Sequence, residues 1–101
     1  MIIYNITSKV EWSVAQEWLQ WMKETHIPDV LNTGCFEKYQ FVRLLQTDET
    51  DGPAYAIQYY TPLLSTYDYY LQHHAPFLRK QTKDKWGEKY IDFGTLMQVV
   101  E

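Results

Sequence analysis

Hydrophobic and polar residues recur along the chain with two different periods, and the switches between them mark six elements. Residues Ile2 to Lys9 are rich in β-branched types and read as an opening strand. From Trp12 the period lengthens. Trp12, Ala15, Leu19 and Met22 recur at helical spacing, with Trp18 and Trp21 widening the stripe. Ser13 is placed to cap this helix and Gln16 to complete a capping box. Pro28 predicts a helix end near His26, a short further turn from Asp29 to Thr33, and a left-handed Gly34 after it. Phe36–Gln46 and Ala54–Thr61 read as the two strands of a hairpin closed by Asp51-Gly52-Pro53. Ser65, with Asp68 three residues on, predicts the cap of a second helix whose apolar positions are Tyr67, Tyr70, Leu71, His74 and Leu78. Pro76 should kink or divide that helix, Trp86-Gly87 should end it, and Tyr90 to Val100 is the last strand.

The order βαββαβ is the ferredoxin-like arrangement of the α+β class: a four-stranded sheet with two helices on one face. Right-handed crossovers put the first and third strands at its centre. A mixed α+β fold with another strand order is the competing expectation. In a monomer the face without helices should be polar. Here Val42/Leu44 and Phe41/Leu45 are apolar pairs on opposite faces of one strand, and Leu96/Val100 against Phe93/Met97/Val99 repeat this on the last. Burying about 400 Å² of such surface would contribute on the order of 10 kcal/mol before association costs. The pattern therefore predicts a homodimer with two sheets face to face, a dimeric α+β barrel.

At 101 residues the chain reads as a single domain spanning residues 1–101. Nine Lys+Arg against thirteen Asp+Glu leave a net charge of −4, which argues against nucleic-acid and anionic-membrane partners because both need a positive field. The single cysteine, Cys35, rules out an internal disulfide, and it reads as a small buried hydrophobe rather than a nucleophile. With no basic segment ahead of an apolar run near Met1, a cytoplasmic location is expected.

Matching the sheet faces suggests where chemistry could sit. If Ile2, Tyr4 and Ile6 meet the helices, Ile3, Asn5 and Thr7 face away. The same alternation turns Gln58 and Tyr60, and on the second strand Tyr39, Phe41, Arg43 and Leu45, to that face. Asn5, Tyr39, Arg43, Gln58 and Tyr60 would then surround an apolar-walled space, the composition of a small-molecule site. Alternatively, Asn5, Gln58 and Arg43 satisfy one another across the dimer interface. A one-residue slip of register would invert the assignment.

His26 and His74 are weak candidates for a general acid or base, with unperturbed pKa values near neutrality. Their structural alternatives are carbonyl bonding at a helix end and a helix–sheet contact. Adjacent His73 and His74 diverge by about 100° on a helix, and no HxxxH or CxxC spacing exists, so no metal site and no cofactor is expected. Phosphate loops and GxSxG elbows are absent, and Ala54–Tyr60 lacks the basic-glycine start of an RNA-recognition strand.

Four stretches together carry a resemblance: Met1-Ile2-Ile3-Tyr4-Asn5, Glu17 to Met22 running to His26-Ile27-Pro28, Thr33-Gly34-Cys35-Phe36, and His74-Ala75-Pro76 with Leu78-Arg79. The chain resembles a family of small, uncharacterised bacterial proteins known only as a domain of unknown function (DUF4286-like). That family is similar to a branch of the dimeric α+β barrel superfamily, which includes cofactor-independent monooxygenases, haem-degrading enzymes, dehydratases and ligand-sensing domains. The resemblance implies the dimer and brings no activity. Asn5 is similar in placement to the first-strand Asn of the haem-degrading members, but Tyr67, Tyr69 and Tyr70 stand where their helical Trp is expected.

Two functions are consistent with these features. One is a non-catalytic small-ligand-binding or interaction domain, its barrel filled by Phe41, Leu45, Phe93 and Met97 and its partners met at exposed edges. The other is a cofactor-independent, monooxygenase-like enzyme acting on a hydrophobic or aromatic molecule, with Arg43 stabilising an oxyanion and His74 or His26 moving a proton.

Overall fold

The four strands form one antiparallel sheet in the order β2-β3-β1-β4, as the crossover rule requires. A computed structural model describes residues 1–101. The strands are β1 (Ile2–Val10), β2 (Lys38–Arg43), β3 (Ala54–Thr61) and β4 (Tyr90–Gln98), and the helices are α1 (Ala15–Trp21), α2 (Ile27–Leu31), α3 (Leu64–His73) and α4 (Ala75–Trp86). This is the ferredoxin-like fold. No helix is long and apolar enough to cross a membrane.

Neither serine acts as the predicted cap. Ser13 lies within a 3-10 turn, Trp12–Val14, and α3 already starts at Leu64, one residue before Ser65; no side-chain cap bond forms at either helix. Tertiary contacts fix these starts instead. Trp12 is half-exposed rather than part of the helix stripe, and its indole N–H donates to the Glu49 carbonyl at 2.8 Å in the β2–β3 connection.

The two prolines are accommodated differently. Before Pro28 the helix widens into a π turn, Met22–His26, in which the Ile27 N–H reaches back five residues to the Met22 carbonyl. The extra residue relieves the clash a proline ring makes with the carbonyl four positions earlier, so the helix runs on from α1 through α2 instead of ending at His26. Gly34 then adopts φ 76°, as expected. At Pro76 the chain breaks: His74 leaves helical geometry at φ −122°, and α4 begins afresh with the proline in its first turn.

The core lies between the helices and one sheet face. Trp18, Ile27, Ile57 and Tyr59 are fully buried, and Trp18 packs on Tyr55 and Phe41 at 5.4 and 6.1 Å between ring centroids. Phe36, Tyr59 and Tyr70 close the other end. At Gly52 a Cβ would lie 1.6 Å from the Val10 carbonyl oxygen, so only glycine lets the β3 approach pass β1.

The pairing confirms the faces of β1 and β3 and corrects that of β2. Tyr4 opposes Tyr59, Ile6 opposes Ile57, and Asn5 opposes Gln58. Across β3, however, Tyr39 opposes Tyr59, Phe41 opposes Ile57, and Arg43 opposes Tyr55, which puts all three on the helix side. Both faces of β2 are apolar, so its alternation carried no phase; the contact of Phe41 with Trp18 sets it.

Candidate ligand-binding site

A cavity of about 490 Å³ opens between the helices and the β1–β4 side of the sheet. Its inner wall is apolar: Ile6, Met22, Ile57, Leu78 and Trp18. The π turn contributes to this wall, because Trp18, Met22 and His26 all border the cavity along one helical face. π turns are frequent at functional sites.

Tyr4 and Arg79 form the main polar pair. The Arg79 guanidinium donates from Nη2 to the Tyr4 hydroxyl at 3.0 Å, joining residues 75 positions apart. Having accepted that bond, Tyr4 keeps its own proton for another acceptor. Its ring is held by Tyr67 at 5.2 Å and Phe36 at 6.3 Å. Gly94 on β4 makes room for it, since a Cβ there would stand 3.2 Å from Tyr4 Cε1. Lys83 follows Arg79 by one turn of α4, and Asp92 on β4 borders the same opening. Desolvation raises the Asp92 pKa, while Arg79 and Lys83 pull it back down.

His26 is buried, and desolvation lowers its pKa to about 4, with Asp29 offsetting part of the shift. The ring stacks on Trp21 at 5.3 Å and is neutral at pH 7. Its Nδ1 lies 3.4 Å from the Thr82 hydroxyl, which itself donates to the Leu78 carbonyl at 3.0 Å. With the hydroxyl proton committed, Thr82 accepts from Nδ1–H, which leaves Nε2 as the unprotonated nitrogen.

Trp18, Tyr59, Thr61 and Trp86 each bury a donor without a partner. The Trp18 indole N–H is buried with no partner, and Trp18 lines the cavity. A buried donor without an acceptor costs about 1–3 kcal/mol. Groups of three or more His, Cys, Asp or Glu placed to hold a metal ion are absent.

The residues singled out from sequence fall into three places. Asn5, Gln58 and Tyr60 share the open sheet face, where Asn5 donates to Thr7 at 3.1 Å and Tyr60 to Gln58 at 3.2 Å. Arg43 and Tyr39 do not join them. Arg43 is exposed and donates to both carboxylate oxygens of Glu49, at 3.0 and 2.8 Å; the expected oxyanion role therefore has no geometry behind it. Of the two histidines, only His26 reaches the cavity. His74 sits at the α3–α4 break beside Tyr69, bordering a shallow depression with Asp29 and His73. Sequence reasoning missed Tyr4, Arg79, Lys83, Asp92 and Trp18 as one group. The available signals were the Arg79/Lys83 spacing of four and a glycine inside a strand at Gly94.

Solved structures resemble this fold at low identity. A dimeric ferredoxin-like protein from an uncultured marine organism has a TM-score of 0.72 at 8% identity, covering 100% of this chain and 96% of that one. SnoaB from Streptomyces nogalater, a cofactor-independent oxygenase, gives 0.69 at 11%, covering 99% and 94%. An EthD-family protein from Bacillus halodurans gives 0.73 at 10%, covering 99% and 100%. No curated protein matches the sequence. Residues 1–100 match the family described as domain of unknown function (DUF4286). The chain belongs to that family.

Proposed function

We propose that the chain is a non-catalytic small-ligand-binding domain, a single ferredoxin-like unit that pairs with a second copy through its open sheet face and binds its ligand between sheet and helices. The observation that carries the ligand reading is the 490 Å³ cavity, in the size range of small-molecule sites, with the Tyr4–Arg79 pair at its polar side. Support for pairing comes from Ile91 and Phe93, 70% and 63% exposed on the edge strand, and from the dimeric ferredoxin-like protein of similar fold. On this reading Asn5, Gln58 and Tyr60 lie in the interface rather than in the ligand site.

Native mass spectrometry before and after denaturation tests both parts. The expected result is a mass of two protomers carrying a small, releasable compound. A monomer at micromolar concentration would overturn the pairing. A bare protein whose tryptophan fluorescence is indifferent to a panel of amphipathic aromatic compounds would overturn the ligand reading.

A second reading, a cofactor-independent, monooxygenase-like enzyme acting on an aromatic molecule, is favoured by one observation: His26, whose pKa burial lowers to about 4, borders the same cavity as the Tyr4–Arg79 pair. Oxygen uptake in the presence of a bound aromatic, lost in His26→Gln, would replace the first reading with this one.

A further inference from the structure

The cavity is polar at one end and apolar at the other. At the open side stand two cations, Arg79 and Lys83, and one carboxylate, Asp92, all exposed residues. Deeper in, Met22, Ile57 and Leu78 are buried, and Trp18 is 1% exposed with its N–H unanswered. The cations exceed the anion by one. Arg79 spends Nη2 on Tyr4 and presents the rest of a planar donor fork, and the Tyr4 proton is free beside it. Two cations against one carboxylate leave a single net positive charge at the opening, which matches a planar monoanion; a dianionic phosphate would leave one charge uncompensated.

Resting on the ligand-binding reading above, we propose that the cavity takes an amphipathic organic carboxylate. The carboxylate sits on Arg79 and Tyr4, and the apolar body lies against Ile6, Met22 and Ile57. Asp92 limits affinity by repulsion and is the counterweight to the two cations.

Calorimetric titration with two probes tests this: 2-naphthoate and its methyl ester. The acid should bind at least about tenfold tighter than the ester, as a charge-assisted pair requires. Arg79→Gln, at an exposed position, should bring acid and ester together by weakening only the acid. Asp92→Asn should tighten the acid a few-fold. Equal binding of acid and ester to the unmodified protein would overturn the carboxylate while leaving the cavity a ligand site. Binding of neither would overturn the carboxylate proposal; the presence or absence of a releasable mass in the native spectrum then decides the ligand reading separately. Preference for the acid persisting in Arg79→Gln would overturn the placement.

Discussion

The two faces of the sheet handle their polar groups in opposite ways. On the open face Asn5 bonds Thr7 and Tyr60 bonds Gln58, each within its own strand, and no fully buried polar atom there lacks a partner. On the helix side Tyr4 keeps a free proton and His26 a free nitrogen at one cavity, and Trp18, Tyr59, Thr61 and Trp86 bury polar atoms without partners. Buried polar groups are ordinarily satisfied, and on the ligand reading proposed above the face with the unmet groups is the one that receives the ligand. The satisfied face suits packing against another copy, where a fixed polar set adds register without an unpaired cost.

The largest expected contrast is in stability. Trp18→Ala removes a fully buried ring that holds α1 to β2 and β3, and should cost about 3–5 kcal/mol in urea unfolding. Phe93→Ser on the open face should leave the protomer folded and, on the pairing proposed above, shift the protein toward monomer in sedimentation velocity. If both variants lost the fold equally, the distinction between core face and docking face would fail.

Acid should act on the helix side next. Burial lowers the His26 pKa to about 4, below the value near 6.5 expected in the unfolded chain, so the unfolded state binds the proton first. The stability this group contributes is complete above pH 6.5 and is lost as pH falls toward 4. The full loss is about 3 kcal/mol, with about 2 kcal/mol gone by pH 5. Unfolding free energies at pH 7.5 and 5 should differ by that much more in the unmodified protein than in His26→Phe. Equal differences would mean that His26 is solvated and no longer a neutral base at the cavity.

How much of this was legible in the sequence follows the strength of each local signal. β1 and β3 alternate cleanly at Tyr4, Ile6, Ile57 and Tyr59, so their faces and the central positions in the sheet could be read. β2 could not be phased, because Phe41 and Val42 are both apolar and an edge strand takes its register from whatever packs on it. Arg43 and Tyr39 went to the wrong face for that reason alone. Pro28 signalled a boundary, yet a π turn absorbed it, and this is what brought His26 to the cavity. The site itself joins residues from β1, the α1–α2 helix, α4 and β4, which no local pattern links; only Gly94 hinted that something close would lie over the last strand.

A smaller effect separates the faces more finely. Arg79→Ala loses a hydrogen bond at a solvent-exposed position and should cost no more than about 1 kcal/mol of stability. It should nevertheless abolish the preference for a carboxylate, since affinity and stability are decoupled where a group serves a ligand. A loss of several kcal/mol would make Arg79 a structural clamp between α4 and β1.

The smallest effect concerns Asn5 and Gln58, which stand opposite each other across β1 and β3. Because each amide bonds its own strand neighbour, Asn5→Ala and Gln58→Ala should each cost about 0.5–1.5 kcal/mol and add nearly independently. A double-mutant cycle on the unfolding free energy reads the difference. Coupling above about 1 kcal/mol would show that the two amides bond across the strands in solution. The open face would then hold rearrangeable polar groups, able to turn toward an incoming molecule, and its contrast with the cavity side would narrow.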